Sequence, residues 1–196
     1  MAVSKRQIEE RKIRQERILT GALEVFKTRG LKNATMEEIA EKSGFGKATI
    51  YYYFQSKKEV FAAILNNGWL MLWSNLEPII AKSSSPRQNF VNVLLKTAET
   101  IRSRPGLFEF LFNAPKQITF EVEPWKKYQN RIYSILQSLL EEAVKAGEFP
   151  NINPKLLFKA MGGLFMGIVL MGDKNKLISE KDIEELLTQL IMNPAH

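Results

Sequence analysis

TMEEIAEKSGFGKATIYYYF, residues 35–54, reads as a helix, a tight turn and a second helix. Thr35 is a good N-cap, and Glu38 three residues on completes a capping box. Met36, Ile39 and Ala40 fall on one face of the first short helix. Ser43-Gly44 ends it, because glycine adopts the left-handed conformation of a C-cap without steric cost. The second helix starts near Gly46-Lys47 and runs to about Phe54, with Ile50 and Phe54 four apart on a shared buried face. Lys47, Thr49, Tyr52 and Tyr53 are left to point elsewhere, with Tyr51 at the margin. A short helix with that outer surface suits a DNA groove: lysine and tyrosine reach phosphate oxygens, and threonine and tyrosine also touch base edges.

The charge distribution points the same way. The 196-residue chain carries a formal charge of +7. Residues 1–58 hold 13 Lys/Arg against 7 Asp/Glu, whereas residues 59–196 hold 15 against 14. The excess therefore sits around the helix-turn-helix, as expected for a polyanion partner. A solubility surface would explain the charge alone but not the motif beside it. Hydrophobic residues make up 45%, ample for a packed core, and cysteine is absent, which excludes disulfides and thiolate chemistry and suits a reducing cytoplasm. The N-terminal MAVSKRQIEERK lacks the apolar core of a signal peptide. Leu156 to Met171, the longest apolar-rich run, contains Lys159 and three glycines and is shorter than a bilayer span.

Residues from about Arg14 to Phe61 resemble the DNA-binding domain of the TetR family of bacterial and archaeal repressors. The pattern is carried by Thr35, Ile39, Ala40, Gly44, Lys47, Ala48, Thr49, Ile50, Tyr51, Tyr53, Phe54, Ser56, Lys57 and Phe61, in fixed register. Two positions depart from it. Gln55 stands where lysine is common, and Ala48 where glycine is common. Beyond the first third, the chain resembles the family only in helical layout.

The expected fold is all-α, with about nine helices. A helix-turn-helix domain covers residues 1–58 and a ligand-binding and dimerisation domain residues 59–196, the boundary lying inside a long helix. Ser4 and Gln7 are placed to cap an early start to the first helix, unless the basic tail is disordered. Its stripe is Ile18, Leu19, Ala22, Leu23 and Phe26, and Gly30 stops it. Arg11, Lys12, Arg14 and Arg17 form a basic cluster that either faces phosphate or is a plain solvated face. Ser56 to Glu59 reads as a second capping box, opening the long fourth helix. Ser85-Pro86 opens the fifth helix, Pro105-Gly106 breaks it before a short apolar helix over 107–113, and Pro124 starts the seventh. Asn153-Pro154 opens an eighth helix that is apolar nearly all round and should be buried on most sides. Gly162, Gly163 and Gly167 within it suggest close approach of another backbone. Ser179 caps the ninth.

Catalysis has little to work with. The one histidine is the terminal His196, and neither a P-loop nor a dinucleotide fingerprint occurs. No cofactor or metal is expected. Large side chains in the C-terminal part favour a ligand cavity instead, although an aromatic at helical spacing is more often plain core. The resemblance puts that cavity between the fourth, fifth, seventh and eighth helices, which makes Trp69, Trp73, Phe90, Phe108, Phe112, Trp125, Tyr128, Phe165 and Met166 candidate lining residues for an apolar small-molecule effector. It also implies a homodimer built on the last two helices, with Gly162, Gly163, Gly167, Ile183, Leu187 and Leu190 at the interface.

The expected function is a ligand-responsive, DNA-binding transcriptional repressor, cytoplasmic and without a membrane partner. As a dimer it presents the 46–54 helix to two half-sites of a palindromic double-stranded operator about 34–36 Å apart. Phosphate contacts are expected from Lys47, Tyr51, Tyr52, Lys57 and the Thr35 cap, and base contacts from Ala48 and Thr49, with Tyr53 a third candidate. The rival reading is a small-molecule-binding or scaffolding helical protein without DNA recognition.

Overall fold

The computed structural model describes residues 4–80, 85–114, 123–149, 153–171 and 179–188. Among these are nine helices and no strand: α1 (Lys5–Asn33), α2 (Met36–Ser43), α3 (Lys47–Tyr53), α4 (Lys57–Ile80), α5 (Pro86–Ser103), α6 (Pro105–Phe112), α7 (Lys126–Lys145), α8 (Pro154–Met171) and α9 (Glu180–Leu187). None is long and apolar enough to cross a membrane.

The helix ends follow from local chemistry. Ser4 accepts the Gln7 N–H at 3.2 Å while Gln7 accepts the Ser4 N–H at 2.9 Å, so α1 begins in a complete capping box. Gly30, at φ 70°, interrupts α1, and a last turn follows it. Ser179 and Asp182 form a third reciprocal box at α9. The expected box at α4 is only half made. Ser56 accepts the Glu59 N–H at 3.2 Å, but the Glu59 carboxylate takes the N–H of Gln55 at 2.7 Å instead of that of Ser56. Helix α7 begins at Lys126, two residues after Pro124, because residues 124 and 125 form a turn.

The chain divides into two compact units. The first comprises residues 1–68 with 110–125, and the second residues 69–109 with 126–196. In the first, α1 packs on α2 and α2 on α3. The opening turns of α4 complete its core: Val60, Phe61, Ile64 and Leu65 are all buried. Phe61 sits edge-on to Phe26 at 5.3 Å and to Phe110 at 5.0 Å, with Phe26 and Phe110 stacked at 6.3 Å. Through this aromatic trio the start of α4 and the end of α6 share the core of the first unit.

In the second unit α5 is central, with α7, α8 and α9 against it. Arg87 ties its first turn to α9 through an ion pair with Glu184, and the Arg87 N–H donates to Glu148 at 2.8 Å. Helix α8 is less covered than its composition suggests. Leu157 and Val169 are buried, but Leu156 and Leu164 are 59% and 51% exposed. Among the described residues, a Cβ placed at Gly162, Gly163 or Gly167 meets nothing within 4 Å, so none of their backbones approaches these glycines.

Candidate nucleic-acid interface

The turn between α2 and α3 is built as its residues dictate. Thr35 caps α2 reciprocally with Glu38, at 3.2 and 3.0 Å. Gly44 lies in the left-handed region at φ 71° and donates to the carbonyls of Ala40 and Glu41, while the Phe45 N–H reaches Ala40 O at 3.0 Å. Ser43, buried, donates its hydroxyl to Ile39 O at 2.7 Å. Ile50 is fully buried and Phe54 nearly so. Burying a side chain such as Ile50 stabilises the fold by about 1.5–3 kcal/mol, enough to fix which face of a two-turn helix points inward.

The opposite face of α3 is open. Lys47, Ala48, Tyr51 and Tyr52 are exposed, Tyr52 by 68%, and Thr49 and Tyr53 are half-buried. The open face is nonetheless ordered by contacts. Tyr52 and Tyr53 meet edge to face at 5.3 Å. The Arg11 guanidinium lies 5.7 and 5.9 Å from their ring centres, so the basic N-terminal part of α1 reaches α3. The Lys47 ammonium is 5.9 Å from the Tyr51 ring and forms an ion pair with Glu37 of α2. Hydrogen bonding from Lys47 lowers the Glu37 carboxyl below the usual carboxylate range, and the same bond raises Lys47. Gln55 donates its side-chain amide to Tyr51 O at 2.8 Å, closing the C-terminus of α3.

Lys57 is placed differently from the other basic residues. Its ammonium donates to the carbonyls of Lys32 and Ala34, both at 2.8 Å, tying the end of α1 to the start of α4. Arg17 lies 4.8 Å from the Phe45 ring centre and donates to Ser43 O at 3.4 Å, bracing the turn from beneath. These tasks for Arg11, Arg17, Glu37 and Lys57 escaped sequence reading, because each joins elements distant in the chain.

The candidate effector residues fall in two places. Phe112 and Trp125 belong to the first unit and the other seven to the second. Trp69, Trp73, Phe90, Phe108 and Trp125 are buried, and Phe112, Tyr128, Phe165 and Met166 half-buried. Within the second unit Trp69 meets Tyr133 edge-on at 5.8 Å, Tyr133 meets Phe158 at 6.1 Å, and Arg131 lies 4.0 Å over Trp73. Burial raises the Tyr133 hydroxyl pKa. Tyr133, Phe158 and Arg131 were not singled out from sequence. Of the residues expected at a dimer interface, Ile183 is only 4% exposed within the protomer, where α9 packs on α5. The Leu187 side chain and Leu190 lie outside the described residues. Among the described residues, no group of three His, Cys, Asp or Glu is arranged to hold a metal ion.

Residues 18–64 match the family described as "Bacterial regulatory proteins, tetR family". The chain carries a TetR-family DNA-binding domain. It is 29% identical over 151 residues, 72% of this chain and 70% of the relative, to the HTH-type transcriptional regulator YfiR of Bacillus subtilis. Among solved structures, a TetR/AcrR-family transcriptional regulator from Thermobifida fusca shares 27% identity and a TM-score of 0.64, over 93% of this chain and 98% of that one. AibR, solved with isovaleryl coenzyme A and operator DNA, superposes with a TM-score of 0.75 at 17% identity, over 89% and 96% of the two chains. The chain is thus a DNA-binding transcriptional regulator, and the helix-turn-helix described above lies inside the matched segment.

Proposed function

We propose that the protein is a homodimeric repressor whose α3 helices enter successive major grooves of a palindromic operator, and that a small apolar effector binding the second unit releases it. The observation that carries the reading is the two-sidedness of α3. Ile50 is fully buried beneath it, while Lys47, Ala48, Tyr51 and Tyr52 stand open on a frame fixed by a cap, a left-handed glycine and an arginine brace. Lys47, Tyr51 and Tyr52 take phosphates, Thr49 and Ala48 take base edges, and Tyr53 acts through its contact with Tyr52. Lys57 has two of its three donors committed to backbone carbonyls, which leaves one for a phosphate.

A dimer is supported by the open apolar surface of α8 around Leu156, Gly163 and Leu164. An apolar effector is supported by the aromatic content of the second unit, and AibR offers an acyl-coenzyme A precedent. Helix α4 carries residues of both units, so an effector that prefers one placement of α4 shifts the DNA-binding equilibrium by its differential affinity.

Thr49→Ala tests base reading. It should change the ranking of single-base operator variants by about 1–3 kcal/mol at one position, read by competition titration. A uniform loss across all variants would reduce Thr49 to a backbone contact. Addition of isovaleryl coenzyme A or a longer acyl-coenzyme A to the protein–DNA complex tests the effector class. Release of DNA is expected if the apolar cavity takes an acyl chain carried on coenzyme A, and indifference to the whole series would remove that carrier from the proposal.

A further inference from the structure

We propose that Glu37 is a built-in competitor of the DNA backbone for Lys47. In the free protein its carboxylate holds the lysine ammonium, and a duplex phosphate has to displace it to engage that lysine. The inference rests on the reading of α3 as the DNA-contacting helix.

The pair joins the start of α2 to the start of α3, and both side chains are open to solvent, 56% exposed for Glu37 and 58% for Lys47. The carboxylate therefore shares the solvent-facing side with the groups expected to meet phosphate. The α2 N-terminus has a complete cap without it, from Thr35 and Glu38. Neighbouring acids are engaged with other partners. Glu24 holds Lys42 at 2.8 Å, Glu38 holds Arg29 at 3.3 Å, and Glu59 takes the Gln55 N–H. Glu37 is the acid of α2 that reaches the lysine of α3.

An exposed ion pair is weak and screened by salt. Phosphates of a duplex are the stronger counter-ion, because each contact releases condensed cations. The exchange is therefore favourable but tempered, and Glu37 also repels the incoming phosphate. Since every duplex presents phosphates, the effect lowers affinity for all sequences alike and leaves base preference to Thr49 and Ala48. In a dimer it acts twice per complex.

The test is a titration of the full-length protein with its own upstream duplex and with a scrambled duplex, over a range of salt. Glu37→Gln should tighten binding to both duplexes by about three- to tenfold at low salt, with the gain fading as salt rises. Glu37→Asp, which keeps the charge but shortens its reach, should move in the same direction by less. Glu41→Gln removes an exposed charge from the same helix and sets the general electrostatic background. In a Lys47→Gln background, Glu37→Gln should gain no more than that background. Unchanged or weaker binding by Glu37→Gln, with Lys47→Gln still weakening it, overturns the competitor and leaves the α3 reading intact. An equal gain from Glu37→Gln with and without Lys47 also overturns it. Lys47→Gln without effect overturns both the competitor and the lysine's phosphate contact.

Discussion

Lys57 shows how much a residue's task depends on its neighbours. By sequence it is a motif lysine in the first turn of a helix, where a phosphate contact is expected. In the fold its ammonium bridges the carbonyls of Lys32 and Ala34. Lys57→Ala should therefore destabilise the protein by about 1–2 kcal/mol in denaturant titration, two charged hydrogen bonds being lost at a partly open site. An unchanged midpoint would return the residue to phosphate contact alone. The buried face of α3 was legible because a two-turn helix with one inward isoleucine leaves few faces to choose from. The partners of Arg11, Arg17 and Glu37 were not legible. Each is a contact across the packing of α1, α2 and α3, and no local rule specifies the angle between those helices.

At the scale of elements, the sequence was most readable where a cap or breaker acts locally. Thr35, Gly44, Ser85 and Ser179 all end or start helices as their chemistry dictates, whereas Gly30 kinks α1 and the helix ends only at Asn33. It was least readable at α8, whose composition suggests burial all round but whose open face carries Leu156 and Leu164. Hydrophobicity says that a face wants covering, not which chain covers it. Close helix packing was also hidden. Gly21, in the middle of α1, looks like an unfavourable choice for a helix interior. A Cβ there would lie 2.8 Å from the Ser43 nitrogen and 2.9 Å from its Cα, both backbone atoms that cannot rotate away. Gly21→Ala should thus push α2 off α1, at a cost of about 1–3 kcal/mol, and weaken DNA binding by moving the turn before α3. A gain in thermal stability, as helix propensity alone would give, contradicts that packing.

For the molecule as a whole, the all-α class and the position of the DNA-reading unit were legible from a motif and a charge imbalance. The contact of Phe110 with Phe26 and Phe61 was not, because it joins residues far apart along the chain. The proposed dimer is tested at this scale. A Cβ at Gly163 meets none of the described residues, so a leucine there projects onto the surface a second copy is proposed to cover. Gly163→Leu should convert the dimer to a folded monomer in light scattering and weaken operator binding with it. A dimer that persists would move the interface away from α8.

The central claim is that α3, presented by both members of a symmetric pair, grips duplex phosphates. Its most direct test is an anisotropy titration of the purified protein on a duplex from its own upstream region, taken to stoichiometric saturation and repeated across salt. The account predicts two protomers per symmetric site, with log affinity falling linearly against log salt by about 0.9 for each phosphate engaged. Saturation at one protomer, or an affinity indifferent to salt, would contradict it.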